Sequence, residues 1–234
     1  MAQKSKTSVS FALPMFNEQD NIIQTIEKIK LIARELTDNF EIVIADDAST
    51  DNSWKILQEL ASKDKSIRPF KLDKNTKFGG AFSTAITQAK KEIIIYTDSD
   101  MPVTLSDIKK SYSFINEYDV INGCSTIKKG DTLKRKIMSF IYNKMVQIFF
   151  RLNIKDINSG YKIIKRSVIE GVTFISKSPF VDVELFIHAK KKNAKIYQYP
   201  LIFNQRVAGA SYIARFPVIL ATLRDLFKVL ITMR

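Results

Sequence analysis

The sequence predicts an α/β fold, a mostly parallel sheet flanked by helices. Short apolar runs alternate with helical repeats through the first half of the chain. The clearest run, Ile93-Ile94-Ile95-Tyr96, has the unbroken apolar character of a strand buried on both faces. The 234 residues are 45% apolar and 26% charged, which suits a globular domain with a sizeable core.

The elements follow in order. Residues 8–13 form a first strand that ends at Pro14. Residues 18–36 repeat apolar side chains at helical spacing through Ile22, Ile23, Ile26, Ile29, Ile32, Ala33 and Leu36. Residues 40–45 are a second strand, 53–60 a helix, 67–72 a weaker strand, 82–90 a helix and 92–97 the buried strand. Beyond residues 119–122 the rhythm changes. Residues 128–136 read as a basic loop around Gly130, 137–152 as an aromatic amphipathic segment, and 156–160 as a polar turn. An apolar run at 161–164, a helix at 180–192, a strand at 194–203 and a helical tail at 216–233 complete the chain. There is no internal repeat and no low-complexity linker.

Composition limits the function. Cys124, the one cysteine, forms no internal disulfide and points to a reducing compartment. His188, the one histidine, argues against His-rich metal sites and a Ser/His/Asp triad. The net charge of +13 fits nucleic acid, anionic lipid or phosphorylated small molecules as partners. No RNA-binding or zinc-finger signature is present, so nucleic acid is not expected. Met1–Thr7 lacks the apolar core of a signal peptide, and no run of about 18 uncharged apolar residues predicts a transmembrane helix.

In open α/β sheets ligands bind beyond the carboxyl ends of the strands. Here three strand ends carry unusual polar groups: Pro14-Met15-Phe16-Asn17-Glu18, Asp46-Asp47-Ala48-Ser49-Thr50-Asp51 and Asp98-Ser99-Asp100. Taken singly, Asn17 or Asp51 reads as a helix cap and Asp98 or Asp100 as a turn residue. Their joint placement at successive strand ends of a basic protein favours a site. Carboxylates at i and i+2 turn toward one ion, and hard divalent cations take carboxylates together with substrate phosphates. Such an ion, Mg²⁺ or Mn²⁺, offsets diphosphate charge and stabilises the leaving group.

These three segments resemble those of the family-2 glycosyltransferases with the GT-A fold. Asp156-Ile157-Asn158-Ser159-Gly160-Tyr161-Lys162 and Arg206-Val207-Ala208-Gly209-Ala210-Ser211 are similar to segments of the dolichol-phosphate mannosyltransferase and polyprenyl-phosphate glycosyltransferase group. The resemblance covers roughly residues 8–212. It implies that Pro14, Asn17, Glu18 and Asp47 hold the nucleotide base and ribose, and that Asp98 and Asp100 hold metal and diphosphate. It also implies that Asp156 lies near the reacting centre, that Arg135 holds the acceptor phosphate, and that Arg206 and Ser211 close over the donor. Glu184, with Asp182, matches a helix that orients or lines the site. Gly79, after Lys77, reads either as a close backbone approach beside the donor or as a helix start. Three positions depart from the family pattern. Pro102 replaces a Gln or Ser, Gly123-Cys124-Ser125-Thr126 replaces a Gly-Ser-Arg-Tyr segment, and Tyr212 replaces a lysine.

The implied organisation is a GT-A domain over residues 1–212 and a C-terminal amphipathic helix over 213–234. On a helical wheel the tail places Ala221, Thr222, Arg224, Asp225, Lys228 and Thr232 on one side. Phe216, Ile219, Leu220, Leu223, Leu226, Phe227, Leu230 and Ile231 fall on the other. That pattern suits a membrane interface, or docking on the protein's own core or on a second subunit. The cations of residues 128–136 suit anionic head groups, at about 1 kcal/mol each. The expected reaction is inverting transfer of a hexose from a nucleotide sugar (GDP-mannose or UDP-hexose) to a polyprenyl or dolichyl phosphate, at the cytoplasmic face of a membrane. A phosphate acceptor is ionised already, its second pKa being about 6, and needs no strong general base. The alternatives are a glycan hydroxyl acceptor, for which a base such as Asp156 becomes essential, and a non-catalytic basic binding module. The tail leaves a homodimer or a separate membrane subunit as further partners.

Overall fold

The computed structural model describes residues 7–125, 133–202 and 216–233. Seven strands form one sheet: β1 Val9–Met15, β2 Phe40–Asp46, β3 Ile67–Lys71, β4 Ile93–Thr97, β5 Val120–Ser125, β6 Tyr161–Lys165 and β7 Ile196–Leu201. Their order is β3-β2-β1-β4-β6-β5-β7. β6 runs antiparallel to β4 and β5, and the remaining pairings are parallel. The helices are α1 Ile22–Leu36, α2 Ser53–Lys63, α3 Lys77–Thr87, α4 Leu105–Tyr112, α5 Leu133–Phe150, the short α6 Arg166–Ile169, α7 Val181–Lys191 and α8 Phe216–Thr232.

Alternating strand side chains feed two cores, as a pleated sheet covered on both faces requires. Phe11, Leu13, Ile42, Ile44, Ile93 and Ile95 pack with Ile26, Leu57 and Ile108 from α1, α2 and α4. Ala12, Val43, Ile94 and Tyr96 pack with Phe82, Val146, Phe186 and Leu226 from α3, α5, α7 and α8. All five residues of β4 are buried, as its apolar run predicts.

The boundaries move where tertiary contacts override local pattern. The helix expected at 82–90 starts at Lys77, because Gly79-Gly80 lies inside its first turn. A Cβ on Gly79 would sit 2.6 Å from the Lys177 carbonyl carbon, so Gly79 marks a close approach of two backbones within the start of the helix. The helix expected from residue 18 starts at Ile22, while residues 133–136 of the expected basic loop belong to α5. The α4 segment escapes a reading by apolar spacing. Thr104 caps it, its hydroxyl accepting from the Asp107 backbone N–H at 3.1 Å.

The tail helix α8 divides its apolar residues. Val218, Leu226 and Val229 are buried in the core, while Leu220, Leu223, Phe227 and Ile231 are exposed. Asp225, placed with the polar residues by the wheel, faces inward. It is 2% exposed and accepts the Lys177 and Ser178 backbone N–H groups at 3.0 and 2.9 Å. Two buried donors outweigh the angular pattern. α5 likewise buries Val146 and exposes Ile137, Phe140, Ile141 and Ile148. A cleft lined by Phe149, Phe150, Val229, Leu230 and Met233 joins the ends of the two helices. Among the described residues no helix is long and apolar enough to cross a membrane.

Asp225→Ala removes the acceptor of the buried Ser178 N–H and the part-buried Lys177 N–H and is expected to lower stability by about 2 kcal/mol, read by chemical denaturation.

Candidate functional site

Parallel pairing puts the carboxyl ends of β1, β2 and β4 on one rim, and β1 lies between the other two at the topological switch point. Because β6 is antiparallel, the turn before it reaches the same rim, with Thr97 opposite Tyr161. The carboxyl end of β5 joins it through the Ser125 backbone N–H, which donates to Asp156 Oδ2 at 3.1 Å. The rim thus carries Asp46 and Asp47, then Asn17 and Glu18, then Asp98 and Asp100, then residues 156–160.

The first two strand ends brace each other. Asn17 Oδ1 accepts the Thr50 N–H at 2.8 Å, and the Asn17 N–H donates to Ser49 Oγ at 2.9 Å. Glu18 spans the gap to the next strand, its Oε1 accepting from Ser99 Oγ at 2.9 Å and its N–H donating to Ser53 Oγ at 2.7 Å. Pro14 is half-buried within β1, paired with Ala45. Backbone strain concentrates here. Asn17, Ala48, Lys77 and Met101 all take positive φ, at 55, 58, 66 and 46°, just beyond the strand ends or at the start of α3. Non-glycine residues hold this region only where the surroundings dictate it, commonly at functional sites.

Asp47 is buried, and its Oδ1 accepts the Thr76 N–H at 2.6 Å and the Thr76 hydroxyl at 2.8 Å. Burial raises its pKa, with these bonds and the Lys77 charge opposing. Asp47 therefore anchors the start of α3 and presents Lys77, which is exposed. Gly79 meets protein rather than an open donor cleft: its N–H donates to the Lys177 carbonyl at 2.9 Å.

Asp98 is held on both sides. Its Oδ1 accepts the Tyr96 hydroxyl at 2.5 Å, and its Oδ2 lies where a Cβ on Gly160 would approach to 2.5 Å. Burial, then the charges of Asp98 and Asp182, push the Tyr96 phenol well up, so it remains a donor. Asp100 is exposed at the tip. The Ser99 carbonyl accepts from Thr25 of α1 at 2.7 Å and fixes the turn between the two acids. The donor set fits a divalent cation: hard oxygen ligands from two carboxylates on a turn made rigid by Tyr96, Thr25 and Gly160. Among the described residues no group of three or more His, Cys, Asp or Glu is gathered that could hold an ion.

Beneath the rim lies a buried ion pair that spacing alone did not single out. Lys162, wholly buried in β6, meets Asp182 Oδ1 at 2.7 Å and donates to the Ser159 carbonyl at 2.6 Å. Asn158 Nδ2 donates to Asp182 Oδ2 at 3.1 Å. Burial pushes the Asp182 carboxyl up to about 6, against the opposing pull of Lys162. The available signal was a lysine inside the apolar strand Tyr161–Lys165. Glu184 is fully buried and accepts the Ile175 and Ser176 N–H groups at 2.7 and 2.9 Å. It shapes the segment that meets Gly79 and has no exposed surface to offer a ligand. His188 packs edge-on to Phe174, and burial pushes its pKa down, so it is neutral at pH 7. Arg135 falls on α5, but its side chain lies outside the described residues, as do Arg206 and Ser211.

Comparison with known proteins places this geometry. A curated relative, the dolichol-phosphate mannosyltransferase of Pyrococcus furiosus, is 29% identical over 213 residues, covering 87% of this chain and 58% of that protein. The glycosyltransferase AglD of Haloferax volcanii is 26% identical, covering 86% of this chain and 34% of that one. The undecaprenyl-phosphate 4-deoxy-4-formamido-L-arabinose transferase of Yersinia enterocolitica is 28% identical, covering 75% and 54%. The matches thus span between 34% and 58% of these relatives' lengths. Among solved structures, the glucosyl-3-phosphoglycerate synthase of Mycobacterium tuberculosis bound to Mn²⁺, UDP-glucose and phosphoglyceric acid superposes with a TM-score of 0.68. Its identity is 16%, covering 94% of this chain and 79% of that one. That likeness bears on the fold and agrees with the GT-A expectation. The model of the Glycosyl transferase family 2 matches residues 10–173, which include the three strand ends and the turn before β6, and the chain belongs to that family.

Proposed function

We propose that this chain transfers a hexose from a nucleotide sugar, GDP-mannose or UDP-hexose, to a polyprenyl or dolichyl phosphate with inversion at the anomeric carbon. One observation carries the reading: acidic and amide side chains from β1, β2 and β4 gather on one rim, with Asp98 fixed between Tyr96 and Gly160. The relatives from Pyrococcus and Yersinia, a dolichol-phosphate mannosyltransferase and an undecaprenyl-phosphate sugar transferase, support a polyprenyl-type phosphate acceptor. The Mycobacterium synthase, solved with Mn²⁺ and UDP-glucose, supports a divalent ion with a nucleotide sugar.

In this reading Asn17, Glu18 and Asp47, with Pro14, form the wall for base and ribose. Asp47 acts partly through its grip on Thr76. Asp98 and Asp100 would hold Mg²⁺ or Mn²⁺. When bound, the ion neutralises the diphosphate and eases its departure. Asp156 sits by the β5 end, facing the approach of the acceptor, and Arg135, Arg206 and Ser211 supply the acceptor and closing contacts. The acceptor phosphate oxygen attacks from the face opposite the diphosphate. It is ionised at neutral pH, so no side chain has to remove a proton first. The exposed apolar residues of α5 and α8, flanked by Arg224 and Lys228, suit insertion into an anionic membrane surface. In this reading the chain is peripheral at the cytoplasmic face of a membrane, with residues 1–212 as the catalytic part and 213–234 as the anchor.

Asp100→Ala is expected to abolish transfer without lowering the melting temperature, since Asp100 is exposed; full activity with Mn²⁺ present refutes the metal role. Asp156→Asn is expected to lower transfer to a phosphate acceptor less than tenfold, whereas a loss of about a hundredfold or more assigns it as a base and favours a hydroxyl acceptor. The protein is expected to float with anionic vesicles. Phe227→Glu with Ile231→Glu should leave it in the pellet fraction, and equal flotation of both proteins removes α8 from the membrane contact.

A further inference from the structure

The buried Tyr96, hydrogen-bonded to Asp98, stands opposite the buried Lys162 across β4 and β6. Tyr96 and Asp98 are two residues apart at the end of β4 and so share a face. Tyr96 is 1% exposed, and its ring is pinned from two directions. The Phe82 ring meets it edge-on with centroids 4.7 Å apart, and the Lys162 ammonium lies 5.3 Å from its centroid. Lys162 has no freedom of its own, being held by Asp182 and the Ser159 carbonyl. The phenol hydroxyl emerges from this packed layer at one point, the 2.5 Å bond to Asp98 Oδ1. On the other side the missing Cβ of Gly160 leaves room for Oδ2 and for little else.

Resting on the proposed function, we infer that Tyr96 is a positioning residue for the divalent cation: its hydroxyl holds Oδ1 of Asp98 and so sets the orientation in which that carboxylate would meet the ion, and the Lys162–Asp182 pair keeps the ring in place. A carboxylate at a strand tip otherwise samples several rotamers and loses that freedom when it ligates. A hydrogen bond to an ionised acceptor is strong enough to select one rotamer beforehand, and ligand sets ordered in advance bind more tightly. The position two residues beyond Asp100 is the buried Pro102, which has no side-chain oxygen to offer an ion.

The test is Mn²⁺ titration of the full chain in the presence of UDP and, separately, GDP, with free Mn²⁺ read by electron paramagnetic resonance. Tyr96→Phe keeps the ring, the Phe82 contact and the Lys162 contact and removes one oxygen. It is expected to weaken Mn²⁺ binding about tenfold while the melting temperature without ion stays within about 2 °C of the parent. Lys162→Met combined with Asp182→Leu, which removes both charges together, is expected to weaken Mn²⁺ binding in the same direction by a smaller factor. Parental Mn²⁺ affinity in Tyr96→Phe overturns the inference. So does a melting temperature lowered by more than about 5 °C together with lost Mn²⁺, which assigns the hydroxyl to the fold. If the parent chain itself binds no Mn²⁺ with either nucleotide, the functional reading fails and this inference falls with it. If the parent binds and the variant matches it, the inference alone fails.

Discussion

Parallel pairing of β1 with both β2 and β4 is the constraint on which the rest depends. It forces three strand ends rich in carboxylates and amides to one edge. Like charges brought close in this way repel, and the repulsion weakens the fold unless each group finds a partner. The protein supplies a hydroxyl to each carboxylate: Thr76 to Asp47, Ser49 to Asp46, Ser99 to Glu18 and Tyr96 to Asp98. A hydroxyl satisfies a carboxylate without cancelling its charge. The rim keeps its negative potential and remains attractive to a cation, within a chain that carries +13 overall.

Below the rim the strategy changes to full neutralisation. Lys162 and Asp182 lie where water does not reach, and a buried charge is tolerated only when paired and hydrogen-bonded. Loss of either partner alone costs about 3–5 kcal/mol, because the survivor is left uncompensated. The pair binds β6 to α7, and Asn158 carries the link up to the turn at the rim. The ion pair, the phenol and the carboxylate are thus contiguous, Lys162 lying beside the Tyr96 ring and the Tyr96 hydroxyl meeting Asp98.

How much of this could be read from the residues follows from the range of each interaction. The acidic strand ends were legible because each lies within a few residues of an apolar run. β4 was legible for the same reason, all its residues being buried. The Lys162–Asp182 pair joins residues twenty positions apart, and nothing in either neighbourhood names the other. Asp225 misled the helical wheel because its partners, the N–H groups of Lys177 and Ser178, lie 48 and 47 residues away. Gly79 read either as a close backbone approach beside the donor or as a helix start; it lies in the first turn of α3, and the backbone it approaches is that of Lys177, 98 positions away and invisible locally. Patterns along the chain report which face is apolar; they do not report which polar group waits on the far side.

The grip of Asp225 has a mechanical consequence. From α8 it holds the Lys177 N–H, the Lys177 carbonyl holds the Gly79 N–H at the start of α3, and the residue preceding that helix, Thr76, is clasped by Asp47 at the tip of β2. An unbroken tether of hydrogen bonds therefore runs from the outermost helix to the second strand end. Any force that lifts α8 must first stretch that tether, so the outer surface and the rim cannot shift independently.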